Sequence, residues 1–217
     1  MNLKQNKRIE PRWPVLLAIV LTSILLIILP ERIRIFPAWL VNPFVIEVII
    51  CIVAVPLSGG KLIWRIAERR IILMFFVFSE IGNMSALTYL VRLMTVHANQ
   101  VSGEELLASS VGVWVINVLA FSLLYWQMDR GGPESHNNKN SLKPDLLFPQ
   151  NTIAEYKDWN PIFADYLFLS FTSASAFSPT DVMPLSIRAK MLMMLQSTIS
   201  LVNIVVVASR AINILGS

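Results

Sequence analysis

Five apolar blocks fill most of the sequence, and they limit the folds that the chain can adopt. The blocks cover residues 14–29, 36–57, 71–94, 106–128 and 185–215. A hydrocarbon core about 30 Å thick is crossed by roughly 20 residues of α-helix. Because most of the blocks reach this length, the sequence predicts an integral membrane protein with several spanning helices.

The composition excludes several other classes of protein. Hydrophobic residues make up 55% of the 217 positions and charged residues only 15%, with a mean hydropathy of +0.61. Soluble domains carry about 25% charged residues. A soluble enzyme, a nucleic-acid-binding module and a secreted disulfide-rich domain are therefore excluded, and we expect no nucleic-acid partner. Cys51 is the only cysteine, so the chain cannot form an internal disulfide.

The first block is predicted to stay in the protein as a helix rather than to be removed as a signal peptide. Basic residues precede it, as they precede the apolar region of a signal peptide. However, Pro30, Glu31 and Arg32 follow it in place of a small-residue cleavage site. We therefore count this block as the first spanning helix.

A polar stretch and a short apolar segment separate the fourth block from the fifth. Residues 129–161 contain many loop-forming residues. The apolar segment 163–176 follows, and a helix of this length would reach only about 21 Å, too short to span. A polar break at 177–181 then precedes the last block. This order is typical of a re-entrant loop.

These boundaries predict an all-α fold, an integral membrane helical bundle. It would have five spanning helices and one short re-entrant, pore-type helix before the last span. We expect a single membrane domain over residues 1–217. In it, residues 1–128 hold the first four spans, 129–161 form a polar loop, and 162–217 hold the re-entrant helix, the break and the last span.

The distribution of basic residues predicts the orientation. With five crossings, fourteen of the 18 lysines and arginines fall on one side of the membrane and four on the other. The positive-inside rule then places the N-terminus, the 129–161 loop and the break in the cytoplasm. Arg188 and Lys190, at the start of the last span, are expected to contact lipid phosphates, so membrane lipids are expected partners.

The residues from Asp165 onwards follow the order of an ion-channel pore loop. An acidic and aromatic start leads into a short Ser- and Thr-rich helix, then the break 177–181, Pro184 and a long last helix. This order resembles the pore module of tetrameric potassium channels. The resemblance implies a homotetramer that conducts monovalent cations. The candidate pore and filter residues are Ser173, Ser175, Phe177, Ser178, Pro179, Thr180 and Asp181.

The candidate filter departs from the potassium-channel pattern. Ser178-Pro179-Thr180 stands where that family has Gly-Tyr-Gly. Glycine allows neighbouring carbonyl groups to point together at the ion, whereas proline fixes its own φ and lacks an N–H. We therefore expect a pore lined by hydroxyl groups and by the Asp181 carboxylate. A ring of carboxylates favours cations without selecting finely among them.

The same residues also fit the start of an ordinary helix. Ser178 would be the N-cap, Pro179 the first helical residue and Asp181 the acidic residue of the first turn. In that case the break joins two packed helices and conducts nothing.

Other motifs resemble a family of bacterial integral membrane proteins that is classed as a domain of unknown function. The resemblance covers most of the chain, including a basic N-terminus and an Arg-rich loop after the second span. Its more specific parts are Asp145-Leu146-Leu147-Phe148-Pro149, Asp165-Tyr166-Leu167, Ser170-Phe171-Thr172 and Ala176-Phe177-Ser178-Pro179-Thr180-Asp181. It implies a multi-pass protein of the bacterial inner membrane, and no activity comes with it.

Four polar residues within the apolar blocks are candidate functional residues: Glu80, Asn83, Asn117 and Asn203. Glu80 lies about nine residues into the third block, roughly 14 Å deep. A charged carboxylate at that depth costs about 2.5–3.5 kcal/mol, so it should face the bundle interior. It is either a proton or cation site, or a protonated side chain hydrogen-bonded to one of the three asparagines.

We predict no enzyme activity, catalytic residue or cofactor for this chain. His97 and His136 have no Cys, His or carboxylate at metal-ligand spacing, so no metal site is predicted either. The leading prediction is a channel-like, cation-conducting oligomer. The alternatives are a proton- or ion-coupled transporter that uses Glu80, and a non-transporting membrane scaffold or subunit.

Overall fold

The computed structural model describes residues 11–59, 61–96, 103–133, 143–156, 159–175 and 181–215. Within these ranges the chain forms six α-helices and two strands of two residues each. The predominance of helix confirms the predicted all-α class. The elements are α1 (Trp13–Ile28), α2 (Ala38–Leu57), α3 (Leu62–Val96), α4 (Gly103–Met128), β1 (Leu146–Leu147), α5 (Phe163–Ser175), β2 (Met183–Pro184) and α6 (Ile187–Leu215).

Four of the described helices, α2, α3, α4 and α6, are long and apolar enough to cross a membrane. Helix α1 is apolar but has only 16 residues. Large apolar side chains on the outside of the bundle are well exposed, among them Leu17, Ile46 and Leu201. An apolar helical bundle with such a surface is compatible with a membrane protein.

Two ion pairs identify the opposite ends of the bundle. At one end Arg12 Nε donates to Glu68 Oε1 at 2.8 Å, and we call this the Arg12 end. At the other end Arg32 binds Glu105, and we call this the Arg32 end. Helix α1 runs from the first to the second, α3 begins at the Arg12 end, and α4 begins at the Arg32 end.

Helix α4 forms the centre of the bundle. It packs against α1, α3, α5 and α6. In the most apolar stretch of α4, 67% of the residues are buried inside the bundle, compared with 22% in the corresponding stretch of α2. Its aromatic side chains fill the space between the helices. Phe121, for example, makes an edge-to-face contact with Phe76 of α3 at 5.2 Å between ring centroids. The centre of the bundle therefore depends on interlocking aromatic rings.

Helix α3 begins earlier than the sequence predicts. The Arg-rich stretch 61–70 was expected as a loop, yet the helix starts at Leu62. Two long-range contacts explain why this stretch is helical. Glu68 is buried against Arg12, and Arg69 Nη1 donates to the Gly131 carbonyl at 2.9 Å. These partners are far away in the sequence, so local composition alone does not reveal them.

Helix α5 lies antiparallel along α4 and covers only part of its length. It starts at the Arg12 end, where the ring of Phe163 packs edge-to-face on Trp126. It ends beside Trp114, whose Nε1 donates to the Ala174 carbonyl at 3.3 Å. Trp114 lies about 18 Å along α4 from Trp126 at the rise of an α-helix. The carboxyl end of α5 therefore lies deep inside the bundle.

Strand β2 lies at the Arg12 end, the end at which α5 begins. There β2 pairs antiparallel with β1, with Leu146 opposite Pro184. The Leu185 N–H donates to the Asp145 carbonyl at 2.8 Å, and the Asp145 N–H donates to Asp129 Oδ1 at 2.9 Å. Because Asp129 directly follows α4, both the start of α5 and β2 lie at the same end of the bundle.

Helix α6 begins at Ile187, and Asp181 is not helical, so Asp181 does not lie in the first turn of this helix as the helix-start alternative expected. Its N-cap is Ser186, whose hydroxyl oxygen accepts the Ala189 N–H at 3.2 Å. Residues 181–186 are not helical. The pairing of β2 with β1 and the bond from the Leu185 N–H take up backbone groups that an earlier helix would need.

Candidate functional site

A buried hydrogen-bonded network joins α4, α5 and α6 inside the bundle. Its centre is Gln196, whose Oε1 accepts the Tyr125 hydroxyl at 2.7 Å. Gln196 Nε2 donates to Ser170 Oγ at 2.7 Å, and the Ser170 hydroxyl donates to the Val118 carbonyl at 2.6 Å. Buried polar groups must be paired in this way, and the pairing fixes the position of the short helix.

Gln196, Tyr125 and Ser170 are not among the site residues predicted from the sequence. For Gln196 the last block does carry a signal, because Gln196, Ser200 and Asn203 recur at spacings of four and three. This spacing puts three polar side chains on one face of α6. In the structure all three are buried.

The carboxyl end of α5 is held by side chains from α4 and α6. The Ala174 carbonyl accepts Trp114 Nε1 at 3.3 Å and the Ser200 hydroxyl at 2.6 Å. The Ser173 carbonyl accepts the Ser197 hydroxyl at 3.2 Å. The last turn of a helix has carbonyl groups without helical partners, and here other helices satisfy two of them.

The two serines predicted as pore residues lie at this end of α5. Ser173 Oγ is buried and has no hydrogen-bond partner among the described residues. The Ser175 hydroxyl donates to the Thr172 carbonyl at 3.1 Å. Ser175 also lines a groove of about 300 Å³ between α4, α5 and α6, together with Trp114 and Asn203.

Asp181 lies elsewhere in the structure. It is exposed and comes two residues before β2, so it belongs to the Arg12 end. Phe177, Ser178, Pro179 and Thr180 lie outside the described residues. The structure thus places the predicted pore serines of α5 deep in the bundle and the predicted pore carboxylate at its end.

Glu80 occupies the interior of the bundle on α3. Both of its carboxyl oxygens are buried and have no hydrogen-bond partner in the part of the chain that the structure describes. Glu80 is about 18 Å along α3 from Glu68, which puts it at the depth of the α5 carboxyl end.

Of the three asparagines predicted as hydrogen-bond partners of Glu80, Asn117 and Asn203 bond to other groups. The Asn83 amide is near the carboxyl group but not in hydrogen-bonding geometry. Asn117 Nδ2 donates to the Gln196 carbonyl at 3.5 Å, and Asn203 Nδ2 donates to the Ser110 carbonyl at 2.8 Å. Asn117 and Asn203 therefore link helices, and the amide that lies near the Glu80 carboxyl group is that of Asn83.

A second polar cluster lies at the Arg12 end. It contains Asp145 and Tyr166, which belong to the motifs 145–149 and 165–167. The buried Asp129 carboxylate accepts the Tyr166 hydroxyl at 2.8 Å and the backbone N–H groups of Asp145 and Leu146. The Asp145 side chain is 3% exposed and binds Arg188. The Arg188 guanidinium binds Asp145 because a buried carboxylate needs a counter-charge. The Arg188 side chain is still 52% exposed, and its contact with lipid phosphates stays a prediction.

Among the described residues, no group of three or more His, Cys, Asp and Glu side chains is arranged to hold a metal ion. Comparison of the chain with protein-family models, with curated proteins and with solved structures gives no match. Function must therefore be argued from the polar groups of the bundle itself.

Proposed function

We propose that this protein is a channel-like membrane protein that conducts cations through a pore formed by several copies of the chain. The pore module would consist of α5, the segment that returns to the Arg12 end, and α6. The proposal rests on one observation: α5 is a half-length helix whose carboxyl end stops about 18 Å inside the bundle, while β2 is back at the end where α5 began.

The direction of α5 favours cations. A helix carries roughly half a negative elementary charge at its carboxyl end. Helices that end at mid-membrane depth use those carboxyl ends to coordinate cations in transport proteins. The two carbonyls near the end of α5 are held by Trp114, Ser197 and Ser200, so the end has a defined position.

The membrane topology that fits this proposal has five crossings, α1, α2, α3, α4 and α6, with α5 re-entrant from the Arg12 end. Helix α1 is shorter than the others, but it extends from the Arg12–Glu68 pair to the turn that holds Arg32. Under the positive-inside rule, the Arg12 end would face the cytoplasm. The pore loop would then enter from the cytoplasmic side, opposite to potassium channels.

One chain supplies a single short helix and a single inner helix, which cannot enclose a pore. About four copies around an axis are needed, as the resemblance to tetrameric channels implies. Asp181, exposed beside β2, would form a ring of carboxylates at the pore mouth, and Ser173 and Ser175 would contribute polar groups deeper in the bundle. Such a ring favours cations over anions.

A second candidate function is supported by Glu80. Its carboxyl oxygens are buried without a hydrogen-bond partner in the described chain, and intramembrane acids commonly mark proton or ion pathways. In that case the protein would be a proton- or ion-coupled transporter. Glu80 would exchange the proton or bind the ion, and oligomerisation would be incidental.

The first experiment is the subunit count of the purified protein by native mass spectrometry from mild detergent. We expect a tetramer. A monomer or dimer would contradict the pore-loop proposal and leave the Glu80 transporter as the candidate to pursue.

The second experiment is cation flux into proteoliposomes with single carboxylate variants. The channel proposal predicts that Asp181→Asn reduces flux strongly and that Glu80→Gln does not. The transporter predicts the reverse pattern with pH-dependent flux. Glu155→Gln is a matched control because Glu155 is an exposed carboxylate outside the helical bundle. Absence of flux in every variant and in the wild type would favour a scaffold.

A further inference from the structure

A pocket of about 190 Å³, lined by both charged and apolar side chains, opens at the Arg12 end, between the first turns of α3 and the end of α4. It lies away from α5, and neither candidate function described above uses it. The side chains of Arg65, Arg69 and Gln127 line it, together with the backbone at Gly131 and Gly132.

Gln127, one of the residues that line this pocket, has an unused hydrogen-bond donor. The residue is only 2% exposed, and its Nε2 has no hydrogen-bond partner among the described residues. The other amide atom, Oε1, faces Gly132, where a Cβ would come within 3.4 Å of it. Since a buried amide N–H without a partner costs free energy, this donor is suited to a ligand that fills the pocket.

The charge of the lining is positive. Arg65 and Arg69 contribute two guanidinium groups, and Arg69 is held in place by its 2.9 Å bond to the Gly131 carbonyl. Glu68 also lines the pocket, but both of its oxygens accept from Arg12, at 2.8 and 3.3 Å. Two guanidinium groups against one carboxylate give the lining a net positive formal charge, which attracts anions.

The rim of the pocket is apolar. Leu62 and Ile66 line it and are 70% and 42% exposed. They follow one another at a spacing of four, so they form one face of α3 beside the two arginines. A ligand that carries an anionic group next to hydrocarbon matches both parts of this lining.

We propose that the pocket binds a phosphate group at the membrane surface, carried by an anionic phospholipid. The phosphate oxygens would accept from Gln127 Nε2 and from the guanidinium groups of Arg65 and Arg69. Guanidinium groups are well suited to phosphate because they present several donors in one plane. The acyl chains would lie along Leu62 and Ile66. Soluble phosphate has the same head chemistry without the chains.

The test is lipid binding to the purified full-length protein, measured by native mass spectrometry and by the lipid-dependent rise in melting temperature. The probes are phosphatidylglycerol, a diacylglycerol with the same chains but no phosphate, and inorganic phosphate. We expect phosphatidylglycerol to bind and the diacylglycerol to bind at least tenfold more weakly. Gln127→Leu and Arg65→Gln should each weaken phosphatidylglycerol binding about tenfold, the loss of one hydrogen bond to a charged group.

Arg70→Gln is the matched control. This substitution removes the same charge from the same helix, but Arg70 is exposed and does not line the pocket. Size-exclusion chromatography checks that each variant is folded. If Gln127→Leu is not folded, the result with Arg65→Gln decides the test. Displacement of the lipid by inorganic phosphate would assign the pocket to free phosphate instead of lipid. Unchanged binding in both pocket variants, or an equal loss in Arg70→Gln, would overturn the proposal.

Discussion

The Tyr166 hydroxyl donates a 2.8 Å hydrogen bond to Oδ2 of Asp129, which joins the first half of α5 to the end of α4. The other oxygen of the same carboxylate accepts the N–H groups of Asp145 and Leu146, just before and within β1. One buried carboxylate thus holds the start of α5 and the segment that pairs with β2. In the proposed channel it would anchor both the entry and the exit of the pore loop.

Replacing Tyr166 by phenylalanine should destabilise the protein without changing its shape. A hydrogen bond to a charged group contributes about 1.5–3 kcal/mol, and the substitution removes one from a fully buried carboxylate. The free energy of unfolding in mixed micelles measures the loss. Tyr156→Phe is the control, since Tyr156 is 50% exposed and its change should stay within about 0.5 kcal/mol. Equal effects of the two variants would contradict the role assigned to Asp129.

A designed disulfide tests whether β2 returns to the Arg12 end. Leu147 and Met183 are directly opposite in the β1–β2 pair. Opposite residues of an antiparallel pair have Cα atoms about 4.5–5.5 Å apart, which suits a disulfide. Leu147→Cys with Met183→Cys, in a Cys51→Ser background, should therefore crosslink readily under mild oxidation. The product is detected by a mobility shift on non-reducing gels.

The matched control for this crosslink pairs Leu147→Cys with Leu195→Cys. Leu195 is exposed and lies about 12 Å further along α6 than Ile187, the first residue of the helix. It should not crosslink with position 147. Equal crosslinking of both pairs, or none with Met183→Cys, would show that β1 and β2 are not paired in the membrane.

Single cysteines on opposite ends of the bundle test the orientation. In a Cys51→Ser background, Thr152→Cys lies near the Arg12 end and Glu104→Cys at the Arg32 end, and both positions are exposed. The positive-inside rule predicts that a membrane-impermeant maleimide labels Glu104→Cys in intact cells. Thr152→Cys should be labelled only after permeabilisation. Labelling of Thr152→Cys in intact cells would invert the proposed topology.

Asp165, in the first turn of α5, should make stability depend on pH. Burial raises the pKa of its carboxyl group, and the Ile162 N–H, bonded to Oδ2 at 2.8 Å, opposes this only in part. The folded state therefore binds the proton more tightly than the unfolded state, and stability falls as pH rises through the raised pKa. Asp165→Asn keeps an acceptor for Ile162 and should remove this decline.

The measurement for Asp165 is the difference in unfolding free energy between Asp165→Asn and the wild type as a function of pH. The difference should be smallest below the ordinary aspartate pKa, near 4, and should grow towards neutral pH. A difference that stays constant over this range would mean that the pKa of Asp165 is not raised.

Local patterns in the sequence were sufficient to predict most helix positions. The apolar segment 163–176 was predicted as a short helix, and α5 covers Phe163–Ser175. Its length follows from the loop residues before it and the polar break after it, which are local properties. Helix α3 was missed over its first turns because Glu68 and Arg69 are ordered by Arg12 and Gly131, which the sequence does not bring together.

The sequence by itself determined that the chain is an apolar helical bundle, since runs of hydrophobic residues of spanning length depend only on neighbouring positions. It also determined the short helix, α5, that precedes the last helix. Only the tertiary structure decided which polar groups meet, such as Tyr125 with Gln196 and Asp129 with Tyr166. These contacts join residues more than thirty positions apart, and helix packing, not local propensity, brings them within hydrogen-bond distance.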